Sequence, residues 1–188
     1  MLETNVVISF YKYKNIENPY ELQKDHMELC SSLDLKGRIL IGEEGINGSL
    51  YGKKSSIEKY KGWLLSNPLF HDVDFKEQES YKIAFRKLFI RVRKEIVHSG
   101  LNVELENTGK FITPKELKEY LDNKDDIILV DVRNDYESRI GRFQNARTLS
   151  IRNFRDFPNS LKEIEDLKEK RIVAYCTGGI RCEKASAF

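Results

Sequence analysis

Residues 171–182 have the sequence RIVAYCTGGIRC, in which a short apolar run leads into a cysteine, two glycines and an arginine. Such a run, followed by a glycine turn and helix-forming residues, is typical of a strand–loop–helix junction. We therefore predict a buried strand that ends near Cys176, a tight loop at Gly178 and Gly179, and a helix over residues 183–187. This junction indicates an α/β fold for the C-terminal part of the chain.

The loop after this strand combines a nucleophile with a site for an anion. Consecutive backbone N–H groups converge in such a loop and the next helix N-terminus adds positive charge, so we expect the pKa of Cys176 to be lowered. Arg181 adds a permanent cation and several hydrogen-bond donors. A cysteine at a strand end can equally be a small buried hydrophobic residue. The catalytic interpretation assigns Cys176 as the nucleophile and five further residues as its loop: Thr177, Gly178, Gly179, Ile180 and Arg181.

The composition is that of a globular chain with room for one or two domains, since 40% of the 188 residues are hydrophobic and 33% are charged. A net charge of only +2 excludes a strong overall basic field, so any nucleic-acid site must be a local patch. No apolar run is long enough to span a bilayer. The three cysteines give neither an even disulfide framework nor metal-ligand spacing. We therefore expect a cytoplasmic protein with no membrane association and no bound metal.

The first half of the chain alternates strand-like and helix-like segments in the order of a ferredoxin-like or acylphosphatase-like α+β domain, which we assign to residues 1–105. Gly42 to Gly45 predict a hairpin turn. The predicted strands are Val6–Tyr13, Arg38–Ile41, Ile46–Tyr51, Val73–Lys76 and Phe85–Val97; one helix starts at Pro19, and a second is capped by Ser55 and Ser56 with Glu58.

Two residues of this half that could be catalytic are assigned to packing instead. His26 and Cys30 lie among Leu22, Leu29 and Leu33, which recur at the spacing of an amphipathic helix. A helix with that period buries one face against the rest of its domain. We therefore predict that the imidazole and the thiol lie in the core or at its rim.

The last strand of this half carries a candidate RNA-binding face. Alternation along the strand points Phe89, Arg91 and Arg93 to the side opposite its aliphatic residues, and Arg86 precedes them. An open sheet face with aromatic and basic residues can bind RNA by stacking and by phosphate contacts. The alternative is that these arginines form an ordinary solvated face.

The second half changes to an α/β pattern after a polar segment at residues 101–110, which we predict to be a linker. The last predicted strand runs into Cys176, at the carboxyl end where open α/β sheets place their sites. Because the chain stops less than about two turns into the helix after the loop, we expect this domain, residues 110–188, to be incomplete at its C-terminus. The other predicted elements are a helix from Thr113, a central parallel strand at Ile127–Val132, a helical turn at Asn134–Arg139, a strand at Ala146–Ile151 and a helix at Leu161–Leu167.

One ion pair is also predicted in this half. Glu137 follows Arg133 by four residues, within the predicted helical turn. Oppositely charged residues at this spacing pair on a helix surface. We therefore assign both side chains to a local structural pair rather than to catalysis.

Residues from about 110 to 188 resemble a rhodanese domain. The resemblance rests on the Asp131–Glu137 segment DVRNDYE, on Gly141–Ala146, and on the loop from Cys176 to Arg181. Rhodanese loops also place four residues between the cysteine and the arginine, whereas related phosphatases have one more. Together with Gly42–Gly48 and Arg91–Val97, the string Tyr175–Ser186 resembles the bacterial rhodanese-like tRNA uridine hydroxylases, and the match covers nearly the whole chain.

This resemblance implies oxygen-dependent conversion of the wobble uridine at tRNA position 34 to 5-hydroxyuridine, with Cys176 as the active cysteine. It implies molecular oxygen and an unidentified electron donor as co-reactants, since the sequence shows no cofactor motif, and tRNA as the partner, without a stable protein partner. Members of the family continue beyond the position of Phe188. Cys182 is either a resolving cysteine or a residue packed inward.

Two other functions remain open at this point. A sulfurtransferase would carry a persulfide on Cys176, as rhodaneses do. A non-catalytic module would bind RNA or protein and keep the loop without using it. The RNA-sized sheet face of the first domain disfavours a plain sulfurtransferase, and the intact Cys176 and Arg181 disfavour a non-catalytic module.

Overall fold

The computed structural model describes residues 3–188, and the chain divides into two compact units between Val97 and His98. The first unit contains a five-stranded sheet and the second a three-stranded sheet. The first is an α+β unit and the second an α/β unit, which confirms the predicted fold class.

The first unit has the predicted order of strands and helices. Its sheet has the strand order β4-β1-β3-β2-β5, in which β5 pairs with β2 in parallel and the other pairs are antiparallel. The elements are β1 (Asn5–Tyr13), α1 (Pro19–Ser32), β2 (Lys36–Gly42), β3 (Gly45–Lys53), α2 (Lys54–Ser66), β4 (Phe75–Glu79) and β5 (Leu88–Val92).

The predicted hairpin joins β2 to β3, and it depends on a glycine. Gly45 has a φ of +146°, and a Cβ at this position would lie 2.1 Å from the carbonyl oxygen of Lys12. Only glycine tolerates both the dihedral angle and this close approach of the neighbouring strand. The turn therefore lets β1, β3 and β2 pack as adjacent strands.

One face of this sheet packs against both helices and forms the core. Ile8, Leu50 and Ile57 are fully buried there, and so are His26 and Cys30. The assignment of this histidine and this cysteine to packing is therefore confirmed. Burial raises the pKa of the Cys30 thiol to about 12, so this thiol stays protonated at neutral pH.

Three local predictions in the first unit are wrong in detail. The backbone N–H of Ser55 donates a hydrogen bond to the Glu3 carboxylate at 2.7 Å, so the cap of α2 comes from a side chain 52 residues away. The predicted cap from Ser55 and Ser56 with Glu58 does not form, because the N-cap residue is Lys53, whose side chain makes no capping hydrogen bond. The strand expected at Val73–Lys76 begins two residues later, at Phe75, and the strand expected at Phe85–Val97 is confined to Leu88–Val92.

The second unit has an all-parallel sheet in the order β7-β6-β8, with β6 in the centre as predicted. Thr113 and Glu116 form the expected capping box at the start of α3. The elements are α3 (Pro114–Asp122), β6 (Ile128–Asp131), α4 (Asp135–Ile140), β7 (Arg147–Thr148), α5 (Phe157–Ser160), β8 (Ile172–Tyr175) and α6 (Ile180–Ala187), with 3-10 turns at Leu105–Asn107, Phe154–Asp156 and Leu161–Leu167.

Several segments of this unit differ from the sequence-based expectation. The strand expected at Ala146–Ile151 is only two residues long, and Leu161–Leu167 is a 3-10 segment with a kink at Ile164. The polar segment at 101–110 contacts α6, since the N–H of Gly109 donates to Ser186 Oγ at 3.0 Å. Helix α6 begins at Ile180, three residues before the expected start.

We predict that replacement of His26 by phenylalanine makes the first unit more resistant to acid. The Nδ1–H of His26 donates to Leu22 O at 2.8 Å, and burial lowers the pKa of the imidazole to about 4. In the unfolded chain the pKa of His26 is about 6.5. The free energy of unfolding therefore has its full value above that pH and falls by about 3 kcal/mol as the pH is lowered to 4. In His26→Phe this loss disappears.

The single tryptophan, Trp63, reports the measurement because its ring lies 4.8 Å from the His26 ring. Urea unfolding followed by tryptophan fluorescence at pH 7 and pH 4 gives the two free energies of unfolding. The exposed His71 provides the matched control, and His71→Phe should keep the pH dependence of the wild type. An equal pH dependence in His26→Phe and the wild type would contradict the assignment.

Candidate active site

Cys176 lies at the carboxyl edge of the parallel sheet in the second unit. Strand β8 ends at Tyr175, and helix α6 begins at Ile180. Tyr175 is aligned with Asp131, the last residue of the central strand, so both strands end at the same edge. Open parallel sheets place their sites at this edge. The predicted strand, loop and helix are therefore present in the expected order.

The Cys176 sulfur is surrounded by hydrogen-bond donors. The Cys182 thiol donates to it and contributes most to lowering the pKa of Cys176 to about 5; the N–H groups of Gly178 and Gly179 and the charge of Arg181 add to this effect, against the cost of burial. The N–H of Gly179 lies 3.0 Å from Sγ. Cys176 is therefore a thiolate at neutral pH.

One glycine of the loop is required by its backbone. Gly179 has a φ of +101°, a conformation that directs its N–H to the sulfur and that side chains with a Cβ rarely adopt. Gly178 differs, since a Cβ at that position would meet nothing within 4 Å. Of the two glycines, only Gly179 is therefore required by its backbone conformation.

Arg181 is held in place by Glu137. Its guanidinium donates two hydrogen bonds to the Glu137 carboxylate, at 2.6 and 2.9 Å, and Thr177 Oγ1 donates to the same carboxylate at 2.6 Å. The Arg181 hydrogen bonds hold the pKa of Glu137 at about 2. Arg181 also hydrogen-bonds to Cys176. The guanidinium therefore links a carboxylate to a thiolate.

The predicted pair between Arg133 and Glu137 is wrong. Arg133 instead donates to Asp131 at 2.7 and 2.9 Å, while Glu137 is paired with Arg181 across 44 residues of sequence. The backbone N–H of Asn134 donates to Glu137 at 3.2 Å, so this carboxylate points back to the start of α4. The Asn-x-x-Glu spacing of a capping box was the feature of the sequence that indicated this orientation.

Asp131 anchors the base of the loop. It is fully buried, and its carboxylate accepts hydrogen bonds from Arg133, from Ser138 Oγ at 2.9 Å and from the Tyr175 hydroxyl at 2.8 Å. A buried carboxylate is tolerated where donors satisfy its lone pairs. Because Tyr175 immediately precedes Cys176, this network fixes the point at which the loop begins.

The two other cysteines differ in their relation to Cys176. Cys182 is half-buried, and its hydrogen bond to the Cys176 thiolate raises the pKa of its own thiol. Cys30 lies in the core of the first unit. Among residues 3–188, no group of three His, Cys, Asp or Glu side chains has a metal-binding arrangement. In the same range no helix is long and apolar enough to cross a membrane.

The four predicted RNA-binding residues lie in or beside β5 of the first unit. Phe89, Arg91, Arg86 and Arg93 are all exposed. The Arg91 guanidinium lies 5.3 Å from the centre of the Phe89 ring, which places the two side chains on the same side of the strand. Their role in binding stays a prediction.

The two units match two protein families in sequence. Residues 5–96 match the family described as UPF0176 acylphosphatase like domain, and residues 113–188 match the rhodanese-like domain family. Among solved structures, an acylphosphatase from Coxiella burnetii is similar with a TM-score of 0.34 and 15% identity, over 47% of this chain and 93% of that chain.

Proteins named tRNA uridine(34) hydroxylase are similar to the chain along its whole length. The proteins of Streptococcus pyogenes serotypes M6 and M1 are each 46% identical to it over 197 residues, which cover 100% of this chain and 60% of each relative. The chain therefore spans about 60% of the length of these curated relatives.

We predict that Cys182→Ala raises the pKa of Cys176 whereas Cys182→Ser raises it less, because serine keeps a donor for the thiolate. The rate of alkylation of Cys176 by iodoacetamide, measured against pH and located by mass spectrometry, gives the pKa. The wild type should show a midpoint near pH 5, and Cys30 should stay unmodified. Identical profiles for the two variants would contradict a donor role of Cys182.

We also predict that Glu137→Gln destabilises the loop by about 2 kcal/mol, because it leaves the largely buried Arg181 guanidinium without its counter-charge. Hydrogen exchange of the β8 amides, read by mass spectrometry, should accelerate more than tenfold. Asp135→Asn is the matched control, since it removes an exposed pair with Arg139 on the same helix. Equal acceleration in both variants would show that the Glu137 pair has no special role.

Proposed function

We propose that the chain acts in the oxygen-dependent hydroxylation of uridine 34 in tRNA to 5-hydroxyuridine. Two similarities support this proposal: its two units match a UPF0176 acylphosphatase-like domain and a rhodanese-like domain, and proteins named tRNA uridine(34) hydroxylase are 46% identical to it along its whole length. Cys176 is the proposed nucleophile, and tRNA is the proposed partner. The cytoplasm is the proposed location because tRNA is modified there. The observation that supports this chemistry most directly is a half-buried thiolate beside an arginine and a backbone N–H.

The proposed role of the thiolate is addition to the base. Uracil is electrophilic at C6, and bond formation between Cys176 Sγ and C6 moves an electron pair towards C5 and O4. The N–H groups of the loop and Arg181 would stabilise the resulting negative charge on O4. Carbon C5 is then electron-rich and open to oxidation. Loss of the C5 proton and departure of Cys176 restore the double bond.

The overall reaction sets the need for co-reactants. One oxygen atom of O2 enters the base and the other leaves as water, so the reaction consumes two electrons and two protons besides the uridine. The loop residues supply binding, a nucleophile and charge stabilisation, while the electrons come from a separate donor.

A second candidate function is sulfur transfer, which the match to the rhodanese-like family favours. Cys176 would accept a sulfane sulfur from a donor and hold it as a persulfide, whose terminal sulfur would take the negative charge. The same N–H groups and Arg181 would stabilise that charge. The two functions predict different products, so one pair of assays separates them.

The hydroxylase proposal predicts that Cys176→Ala abolishes formation of 5-hydroxyuridine. The gene is expressed in a bacterial strain that lacks this nucleoside, and tRNA nucleosides are analysed by mass spectrometry. The wild type and Cys30→Ala, which removes the thiol from the core of the first unit, should both restore the nucleoside. In parallel, the proteins are assayed for thiocyanate formation from thiosulfate and cyanide. Thiocyanate that depends on Cys176, without any hydroxyuridine, would establish the sulfurtransferase instead.

A further inference from the structure

The sheet of the first unit has one face against α1 and α2 and an opposite face, here called the outer face. Along β1, buried residues such as Ile8 alternate with partly exposed residues. Side chains at directly paired positions lie on the same side of a sheet. Cross-strand pairing therefore assigns each strand residue to a face. Five pairs lie on the outer face around the junction of β3, β2 and β5: Lys36 with Tyr51, Arg38 with Ser49, Leu40 with Asn47, Arg38 with Phe89, and Leu40 with Arg91.

The charges of the strands are separated between the two faces. Among the strand residues that the structure describes in the first unit, the only carboxylates are Glu77 and Glu79, which pair with Ile8 and Val6 and thus lie on the helix side. Glu77 accordingly forms an ion pair with Lys61 of α2 at 2.9 Å. All the charged strand residues on the outer face are basic: Lys36, Arg38, Lys53, Lys76 and Arg91.

The basic residues of the outer face are accessible. Arg38, Lys53, Lys76 and Arg91 are exposed. Lys36 is partly neutralised by the loop residue Asp34, at 2.6 Å. The net charge of the whole protein, +2, conceals this patch because the acidic residues are concentrated elsewhere.

Aromatic rings lie among these charges. Phe89 is 43% exposed, and the Arg91 guanidinium lies 5.3 Å from its centre. Tyr51 lies on the same face two strands away, with Arg38 of β2 between them. From strand spacing and rise, the Cα atoms of Phe89 and Tyr51 are about 12 Å apart. Bases stack on such rings regardless of sequence, while an arginine between them can bind the phosphates.

We propose that the outer face of the first unit binds a single-stranded segment of RNA, with Arg38 and Arg91 on phosphates and with Phe89 and Tyr51 stacked against bases. The proposal rests on the proposed function in taking the tRNA anticodon loop as that segment. Charge complementarity selects a polyanion. The rings between the cations, of which Phe89 is exposed and Tyr51 partly exposed, select unpaired bases over a duplex, whose bases stack on one another. Arg38, Tyr51, Lys53 and Lys76 thereby join the arginines recognised from the sequence.

The experiment measures binding of the full chain to a fluorescent 17-nucleotide anticodon stem–loop by anisotropy at several salt concentrations. We expect Arg38→Ala with Arg91→Ala to weaken binding about tenfold or more. The slope of log affinity against log salt concentration should become shallower by about 0.7 for each phosphate that the variant no longer neutralises. The matched control, Lys24→Ala with Lys59→Ala, removes the same charge from exposed positions on α1 and α2. The control should bind within twofold of the wild type.

Further variants separate charge from stacking and from misfolding. Arg38→Lys with Arg91→Lys keeps the charge and should retain most of the affinity. Phe89→Ala should weaken binding by about fivefold or more, whereas Phe89→Tyr should not. The Trp63 fluorescence transition shows that each variant is folded. Two results would overturn the proposal. One is an equal loss of affinity in Arg38→Ala with Arg91→Ala and in the control Lys24→Ala with Lys59→Ala; the other is equal affinity of the wild type for a duplex RNA of the same length.

The outcome is distinguishable from failure of the proposed function. Cys176→Ala should bind the RNA like the wild type while producing no 5-hydroxyuridine. Normal binding by a wild type that forms no hydroxyuridine would reject the hydroxylase and leave the RNA face in place. Normal hydroxyuridine formation by Arg38→Ala with Arg91→Ala would reject the face and leave the hydroxylase in place.

Discussion

The second unit depends on holding negative charge at the end of a sheet, largely shielded from water. A thiolate and two carboxylates lie close together there, and each is acceptable only because donors surround it. Arg181 lies between Cys176 and Glu137, and Arg133 satisfies Asp131. The loop is therefore more than a turn that exposes a cysteine. It is a set of charged groups in which Glu137 holds Arg181, Arg181 contacts the Cys176 thiolate, and Arg133 pairs with Asp131.

The sequence predicted the regular elements well where periodicity and caps are local properties. The strand before Asp131 and the Thr113–Glu116 capping box depend only on residues that are close in sequence. What failed was pairing over long distances. Sequence spacing suggested Glu137 with Arg133, yet Glu137 meets Arg181, and the cap of α2 comes from Glu3. A spacing rule describes only contacts between neighbours on one helix, whereas the fold determines which distant side chains lie close enough to pair.

The same limit applies to the candidate site and to the outer face. The sequence indicated that Cys176 would be acidic, from the loop and Arg181, but it gave no reason to see Cys182 as the strongest contributor. It also placed Phe89, Arg91 and Arg93 on one side of a strand. It could not place Arg38 or Tyr51 beside them, because that requires the register between β2, β3 and β5. Strand alternation is a property of the sequence, but strand order is a property of the fold.

The low pKa of Cys176 limits which chemistry gains from it. Lowering the pKa from 9.0 to about 5 raises the thiolate fraction at pH 7 about 100-fold, but a less basic thiolate is also less nucleophilic, by a factor of about 40 to 100 over four pKa units. The two effects nearly cancel, so the rate of attack gains little. Departure of the sulfur gains instead, since a less basic thiolate is the better leaving group. Both an adduct with uracil C6 and a persulfide end with release of the Cys176 sulfur, so the donors around Cys176 favour a reaction in which the enzyme–substrate bond must break again.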